Sequence, residues 1–195
     1  MSLEGFEDHI PKYLSSADQA ELVSQLRDFE NRNYYTTLFP TDLLQGDGWS
    51  GFDIISLADG KRDKVKGIMI SNSCDVDPGN KRDLPTRIVF APLIKLGAYV
   101  DLLTRANVNS GQIETKIEAI RRQRVTSLFF LPRGGTLDED HIALLDDLHN
   151  VPLKMFEGSE VRSKLFTLSQ VGFYLLVFKI SIHFCRFSEN LSRSS

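Results

Sequence analysis

Two short apolar segments in the first half of the chain stand out from their polar surroundings. Residues 67–71 and 87–93 are rich in isoleucine, valine and phenylalanine, and the polar residues 72–80 lie between them. Runs of this length, separated by a loop that contains Pro-Gly, are typical of neighbouring β-strands. We therefore predict that the two segments pair in one sheet.

Other segments space their apolar residues as helices do. A capping box at residues 16–19, followed by apolar residues at intervals of three and four, predicts a helix over residues 16–31. A cap at Ser110 and one apolar stripe predict another over residues 110–124. Residues 171–187 carry two apolar stripes and predict a helix buried in the core or in an oligomer interface, although part of this segment also alternates as a strand does.

Glycine and proline separate the remaining elements. Residues 36–51 contain one proline and three glycines, so we predict mostly loop there. The other predicted elements are strands over residues 52–57, 127–131 and 141–148 and helices over residues 93–103 and 159–170. At 141–148 a strand is preferred to a helix because the segment lies between a Gly-Gly turn and Pro152.

These elements predict a single domain of the α+β class over residues 1–195. Its fold is expected to be a small, strongly bent antiparallel sheet or SH3-like partial barrel, with N-terminal, central and C-terminal helices. The barrel-like core is placed at residues 46–148, flanked by helical elaborations at 1–45 and 149–187 and by a frayed polar tail at 188–195. A chain of 195 residues, 42% of them hydrophobic, can build such a core.

Composition and charge argue against several classes of protein. A net charge of −3 disfavours broad binding to nucleic acid, although it leaves room for a local basic groove. Cys74 and Cys185 lie far apart, which disfavours a disulfide framework or a structural zinc site and favours a reducing compartment. The acidic N-terminus lacks the apolar part of a signal peptide, and the apolar run at residues 171–178 is too short to span a membrane. We therefore expect a cytoplasmic protein.

The loop after the first apolar segment holds the densest group of potential ligands and nucleophiles: Ser71, Asn72, Ser73, Cys74, Asp75 and Asp77. A calcium-binding loop that began at Asp75 would need Gly at its sixth position and Glu at its twelfth, where Asn80 and Thr86 stand. A turn whose aspartates accept hydrogen bonds from nearby backbone N–H groups is the simpler interpretation.

Cys74 is the candidate nucleophile of this loop. Thiolate chemistry would require one of three histidines, His141, His149 or His183, to reach it, while the adjacent aspartate disfavours the thiolate. The burial preferences of cysteine favour a free, half-buried structural residue instead. An acidic group at residues 138–140 and 146–147, together with His141 and His149, has enough ligands for a metal, but its spacing matches no HExxH or paired-ligand pattern. We predict no metal site and no cofactor.

Basic residues occur in three groups: Lys61, Arg62, Lys64 and Lys66; then Lys81, Arg82 and Arg87; then Arg121, Arg122 and Arg124. If the first two groups share one face of the paired strands, they form a phosphate-binding groove, beside which Trp49 and Phe52 could stack on bases. The alternative is that these cations keep the strand edges soluble.

The order of these motifs resembles the PemK/MazF family of toxin endoribonucleases. Members of that family carry Gly-Asp near the start, then a basic loop, an apolar strand ending in Ser, a strand ending in Pro-hydrophobic-Thr, and a late acidic segment. The matching parts of this chain are Gly46-Asp47, residues 60–66, residues 68–71, residues 89–94 and residues 136–148. The resemblance covers about residues 46–148, with Ile94 and Lys95 where the family has its threonine.

The resemblance implies an RNA-binding or RNA-cleaving module of a toxin–antitoxin or phage-defence system, and any enzyme of this kind would be a metal-independent endoribonuclease. Arg62 and Ser71 would be catalytic, with the arginine stabilising charge on phosphorus and the serine or a basic group positioning the 2′-hydroxyl. Lys64 and Arg87 would bind RNA phosphates.

A second hypothesis makes the chain a non-catalytic interaction protein. The apolar segment from Phe173 to Phe187 would then dock a partner protein or form a homodimer. Neither membrane binding nor DNA binding is expected. A cysteine hydrolase that uses Cys74 is a third hypothesis.

Overall fold

The strands that the structure describes form one antiparallel sheet that curls into a half-barrel. The computed structural model describes residues 33–56, 58–77, 79–80 and 83–184. The strands in this part of the chain are β1 (Tyr35–Thr36), β2 (Gly48–Ile55), β3 (Arg62–Met69), β4 (Arg87–Lys95), β5 (Leu128–Leu131), β6 (His141–Leu144), β7 (His149–Pro152) and β8 (Lys164–Leu168). They are hydrogen-bonded in the order β1-β8-β2-β3-β4-β6-β5, and β7 also pairs with β4.

Five helices accompany the sheet within the described ranges: α1 (Ser73–Val76), α2 (Leu96–Arg105), α3 (Ser110–Arg121), α4 (Leu153–Glu157) and α5 (Gln170–Phe184). None of these helices is long and apolar enough to cross a membrane. The predicted mixture of helices with a strongly bent antiparallel sheet is therefore confirmed.

The two apolar segments singled out in the sequence are neighbouring strands, as predicted. β3 and β4 run antiparallel, with Gly67 opposite Pro92 and Met69 opposite Phe90. β4 pairs with β7 before Pro92 and with β6 after it. The change of partner falls at the residue of the strand that lacks an N–H donor. β4 continues to Lys95, so the helix predicted from residue 93 begins three residues later, as α2.

Two of the glycines that predicted a loop over residues 36–51, Gly48 and Gly51, lie in strand β2, which begins at Gly48. The β2–β3 ladder is irregular around Gly51, whose φ is +88°. A Cβ atom at Gly48 would lie 2.2 Å from the Phe166 ring, so glycine is needed for β8 to approach β2. The loop prediction was wrong from Gly48 onward because these glycines serve a bulge and a close strand contact.

The helix predicted over residues 159–170 is wrong, because this segment contains β8. β8 lies between β1 and β2, and its last four side chains are all buried. A strand covered on both faces does not alternate apolar and polar residues, which removes the usual sequence signal. β1, β7 and β8 also place sheet strands outside the predicted core of residues 46–148. The predicted helix over residues 16–31 and the tail at 188–195 lie outside the described residues.

The central and C-terminal helices were predicted correctly in type. α3 begins at Ser110, but its N-cap is Asn109, whose Oδ1 accepts a hydrogen bond from the backbone N–H of Gly111 at 2.9 Å. α5 occupies most of the segment in which helix and strand were both open. The strands predicted over residues 127–131 and 141–148 appear as β5 and the shorter β6.

A stack of three aromatic rings lies at the centre of one core cluster. The Phe52 ring is 4.1 Å from that of Phe90 and 4.4 Å from that of Phe156, with planes 9° and 14° apart. A Cβ atom on Gly67 would lie 2.6 Å from the Phe90 ring. The stack therefore depends on a glycine at the point where β3 passes beneath it.

One side of α5 is buried against the sheet and carries a charged residue. Leu175, Leu176 and Lys179 are all buried, and Lys179 is 2% exposed. Its ammonium group donates a hydrogen bond to the backbone carbonyl of Gln123. Burial lowers the pKa of Lys179 to about 7, because the charged form loses its hydration.

A side chain connects the two end strands of the sheet. Tyr35 in β1 donates its phenol O–H to the carbonyl oxygen of Pro132, which follows β5, at 2.6 Å. The Tyr35 ring also covers Gly134, where a Cβ atom would lie 2.6 Å from it. β1 and β5, the two end strands of the sheet, are therefore close together, although no backbone ladder joins them among the described pairings.

Candidate functional site

The four residues predicted to act on RNA fall into two separate places. Arg62 begins β3 and Ser71 follows its end, so the two are nine positions apart, or roughly 30 Å of extended strand. Lys64 lies near Arg62, whereas Arg87 begins the antiparallel strand β4 and therefore lies near Ser71. The structure brings Ser71 and Arg87 together and keeps Arg62 and Lys64 apart from them.

Arg62 and Lys64 share one buried carboxylate. Arg62 Nε lies 2.8 Å from Asp53 Oδ1, and Lys64 Nζ lies 2.8 Å from Asp53 Oδ2. The hydrogen bond from Arg62 is the largest influence on the pKa of Asp53; with the help of Lys64 it outweighs burial and holds this pKa below its usual value. Asp53 therefore remains ionised. It offsets part of the positive charge of Arg62 and Lys64, the two cations of this site that were predicted to act on RNA.

The end of β3, the start of β4 and the loop between them enclose an open cavity of about 570 Å³. We name it the Ser71–Arg87 cleft, after the two predicted residues that line it. The remaining walls are formed by Asp75 and residues 83–86. Lys81 and Arg82, which the sequence grouped with Arg87, lie outside the described residues.

Ser71 is fixed by the β3–β4 ladder. Its backbone N–H donates to the Val89 carbonyl at 3.2 Å, and its Oγ accepts a hydrogen bond from the Val89 N–H at 2.8 Å. A serine hydroxyl that accepts in this way still carries a proton to donate. Ser71 is thus positioned at the cleft with its O–H available to a ligand.

Arg87 is exposed, and a neutral amide orients it. Its Nε donates to Asn150 Oδ1 at 2.6 Å, and its Nη2 lies 3.5 Å from the Asn150 carbonyl oxygen. Asn150 stands on β7, opposite Val89 of β4. Within the described ranges no carboxylate forms an ion pair with Arg87, so its charge is oriented without being neutralised.

The Asn72–Asp77 loop is built from the turn bonds that the simpler interpretation predicted. Asn72 Oδ1 accepts from the Cys74 N–H at 2.9 Å and caps α1, while Asp77 Oδ1 accepts from the Gly79 N–H at 2.7 Å. No cluster of three or more His, Cys, Asp or Glu residues that could hold a metal occurs among the residues that the structure describes. Through Asp75, this loop forms one wall of the Ser71–Arg87 cleft.

Cys74 lies in a neighbouring cavity of about 380 Å³, which it shares with Arg162 and Glu157. The three histidines proposed as its partners are engaged elsewhere. A ring nitrogen of His141 is 2.8 Å from the Glu139 carbonyl oxygen, one of His149 is 3.1 Å from Asp147, and His183 contacts the Phe184 ring. None of these three histidines lines the Cys74 cavity.

The aromatic residues proposed to stack on bases are buried. Trp49 is 4% exposed and Phe52 is fully buried, so that hypothesis was wrong. The cations of Arg162 and Lys164 lie 4.9 Å and 5.3 Å from the centre of the Trp49 ring. Trp49 therefore belongs to the core and to a cation–π arrangement with Arg162, which also lines the Cys74 cavity.

Sequence reasoning missed the most deeply buried ion pair of the described chain. Lys164 Nζ lies 2.8 Å from Asp47 Oδ2, and it also donates to the carbonyl oxygens of Phe39 and Asp42. Burial raises the pKa of Asp47 above its usual value, against the opposing effect of Lys164. The sequence offered only the Gly-Asp dipeptide, since Lys164 stood in a predicted helix.

A scan against models of known protein families finds no match for this chain, and no curated protein matches it.

Proposed function

We propose that this protein is an RNA-binding module with a PemK/MazF-like, SH3-like partial barrel, and that the Ser71–Arg87 cleft holds the phosphates of a single strand. The proposal includes the expectation that the protein acts in the cytoplasm, in a toxin–antitoxin or phage-defence system. The observation that carries it is the state of Arg87, an exposed guanidinium held by Asn150 and not neutralised by a described carboxylate. Guanidinium groups in this state suit phosphate oxygens.

The contrast between the two arginines supports this choice of site. Arg62 shares Asp53 with Lys64, so a phosphate there would compete with an existing carboxylate. At the cleft, which Asp75 and Asp83 also line, Arg87 supplies the positive charge and Ser71 supplies a hydroxyl donor from a fixed backbone position. Arg62 and Lys64 are too far along β3 to contact the same phosphate.

Fluorescence anisotropy with a labelled single-stranded RNA tests the proposal. We expect Arg87→Ala to weaken binding about tenfold or more, because a hydrogen bond to a charged group is lost. Arg62→Ala is the matched control and should stay within about twofold, since its charge is already paired. Absence of RNA binding by the parent chain, or equal losses in both variants, would overturn the proposal.

Cleavage is a separate step of the same proposal. Ser71 would position the 2′-hydroxyl, and Arg87 would take the charge-stabilising role that the resemblance gave to Arg62. We expect the parent chain to cleave RNA in the presence of EDTA, and Ser71→Ala and Arg87→Ala to lose that activity while Arg62→Ala keeps it. Binding without cleavage would leave an RNA-binding module that is not an enzyme.

One observation favours the alternative of an interaction subunit. α5 buries one side in the core, yet Phe184 near its end is 54% exposed. An exposed aromatic at the end of an apolar helix is suited to contact with a second copy of the chain. Light scattering should give a dimer mass for the parent and a monomer mass for Phe184→Asp. Phe178 is unsuitable for this test because it packs against the core cluster.

A further inference from the structure

A second cavity, of about 440 Å³, lies between the end of α3 and the two end strands of the sheet. Three arginines line it, Arg121, Arg122 and Arg133, and we name it the arginine cavity. Tyr34, Tyr35 and Phe130 form apolar parts of its wall. It shares no lining residue with the Ser71–Arg87 cleft.

Among the described residues at this cavity, three arginines stand beside two carboxylates, Asp140 and Glu118. Arg121 is 3.3 Å from Asp140, and Arg122 is 2.7 Å from Glu118 one helical turn earlier. All four of these side chains are largely or partly exposed, so their ion pairs are weak and a stronger anion can replace them. Within the described ranges no carboxylate pairs with the Arg133 guanidinium.

The backbone that carries Arg133 is held in place. Its N–H donates to Asp140 Oδ1 at 3.0 Å, so the carboxylate that faces Arg121 also anchors Arg133. On either side of it, Pro132 accepts the Tyr35 phenol and Gly134 lies beneath the Tyr35 ring. A binding group whose main chain is fixed in advance loses less freedom when a ligand arrives.

The opposite wall is fixed by Gln123, which lies just beyond the end of α3 and has a positive φ of +55°. Its side chain bonds both backbone groups of Phe130, donating to the carbonyl at 2.8 Å and accepting from the N–H at 3.1 Å. These bonds tie the end of α3, and with it Arg121 and Arg122, to strand β5. The three arginines therefore stand on two elements that are fastened to each other.

We propose that the arginine cavity binds a small organic phosphate of nucleotide size. Arginine forks match the oxygen geometry of phosphate groups, and three of them converge here. The volume lies within the range of about 300–1,000 Å³ that small-molecule sites occupy. The tyrosine and phenylalanine walls suit a ring attached to the phosphate. This site is independent of the proposed RNA cleft.

Isothermal titration calorimetry on the full chain tests the inference, with ADP and inorganic pyrophosphate as anionic probes and adenosine as the uncharged probe. We expect ADP to bind the parent, and Arg133→Ala to bind it about tenfold more weakly. Arg124→Ala is the matched control, because Arg124 is exposed on the same segment as Arg122 but does not line the cavity. Its ADP affinity should equal that of the parent.

The probes distinguish the two sources of phosphate. Tighter binding of ADP than of pyrophosphate assigns the site to nucleotides, and equal binding assigns it to free polyphosphates. Binding of adenosine with the affinity of ADP, failure of both anions to bind, or equal ADP affinity in Arg133→Ala and the parent would overturn the inference. Arg87→Ala should bind ADP like the parent, so failure here is separable from failure at the RNA cleft.

Discussion

The ammonium nitrogen of Lys164 lies 2.8 Å from a carboxylate oxygen of Asp47, and these side chains are only 12% and 1% exposed. Lys164 extends from β8, and its bonds to the Phe39 and Asp42 carbonyls hold the loop before β2. Phe39 has a positive φ of +58°, which is rare for a non-glycine residue. The ion pair thus fixes an otherwise unfavourable loop against the sheet.

Asp47→Asn should lower the free energy of unfolding by about 3 kcal/mol, because it leaves the Lys164 charge buried without a counter-ion. Urea unfolding followed by the fluorescence of Trp49, the only tryptophan of the chain, measures the change.

The double variant Asp47→Asn with Lys164→Met provides the control for this prediction. Since the second substitution removes the unpaired charge, the double variant should lose less stability than the sum of the two single variants. Strict additivity would show that the pair is not energetically coupled.

Lys179 should make stability depend on pH between about 7 and its unfolded value of 10.5. In that window the unfolded chain binds a proton that the folded chain does not, so stability rises with pH by at most about 1.4 kcal/mol per unit. Below pH 7 both states are protonated. Stability then no longer changes with pH through Lys179, and the stabilisation gained at higher pH is absent. Lys179→Met should have a flatter profile over the window, measured by urea unfolding at several pH values. Identical slopes in variant and parent would contradict the assignment.

Gly67→Ala should lower stability by about 2 kcal/mol, because the new methyl group would enter the ring stack at 2.6 Å from Phe90 and 2.8 Å from Phe52. Gly97→Ala is the control. It lies in the first turn of α2 with its nearest neighbour at 3.5 Å, and it should gain about 0.5 kcal/mol from reduced backbone freedom. Thermal unfolding of both variants beside the parent measures these changes. A Gly67→Ala variant as stable as the parent would mean that the ring stack can shift to admit the methyl group.

Asn150 should act on RNA binding through Arg87, as a positioning residue. Asn150→Ala frees the guanidinium and should weaken RNA binding severalfold through lost orientation. Asn150→Asp should weaken it further, because a carboxylate would neutralise Arg87 as Asp53 neutralises Arg62. The order parent, then Ala, then Asp, measured by anisotropy, is the expected result. Equal affinity in all three proteins would remove Asn150 from the site.

The elements that the sequence predicted well are those with a clear period or composition. The strands β3 and β4 are short β-rich runs around a Pro-Gly loop, and α3 shows one apolar stripe. β8 was missed because it is covered on both faces and therefore has no period. Gly48 and Gly51 were interpreted as breaks, since a bulge and a close ring contact depend on strands distant in sequence.

The candidate site was predicted in part for a similar reason. The antiparallel pairing of β3 and β4 places Ser71 near Arg87, and the sequence supported that pairing. The position of Arg62 in the basic loop gave no indication that eight residues of strand would carry it away from Ser71. Lys164 and Asp47 are 117 residues apart, and a pair formed at that separation leaves no local pattern.

The hydrogen bond from Tyr35 to Pro132 has a consequence for the shape of the whole sheet. It crosses the gap between β1 and β5, where a closed barrel would have a backbone ladder. The arginine cavity occupies that same gap, so the seam at which the barrel stays open is also the space available to a small molecule. An anion held there by residues next to both edges would close the ring of strands in place of the missing ladder. Occupancy of the seam would then be measurable as a rise in the melting temperature.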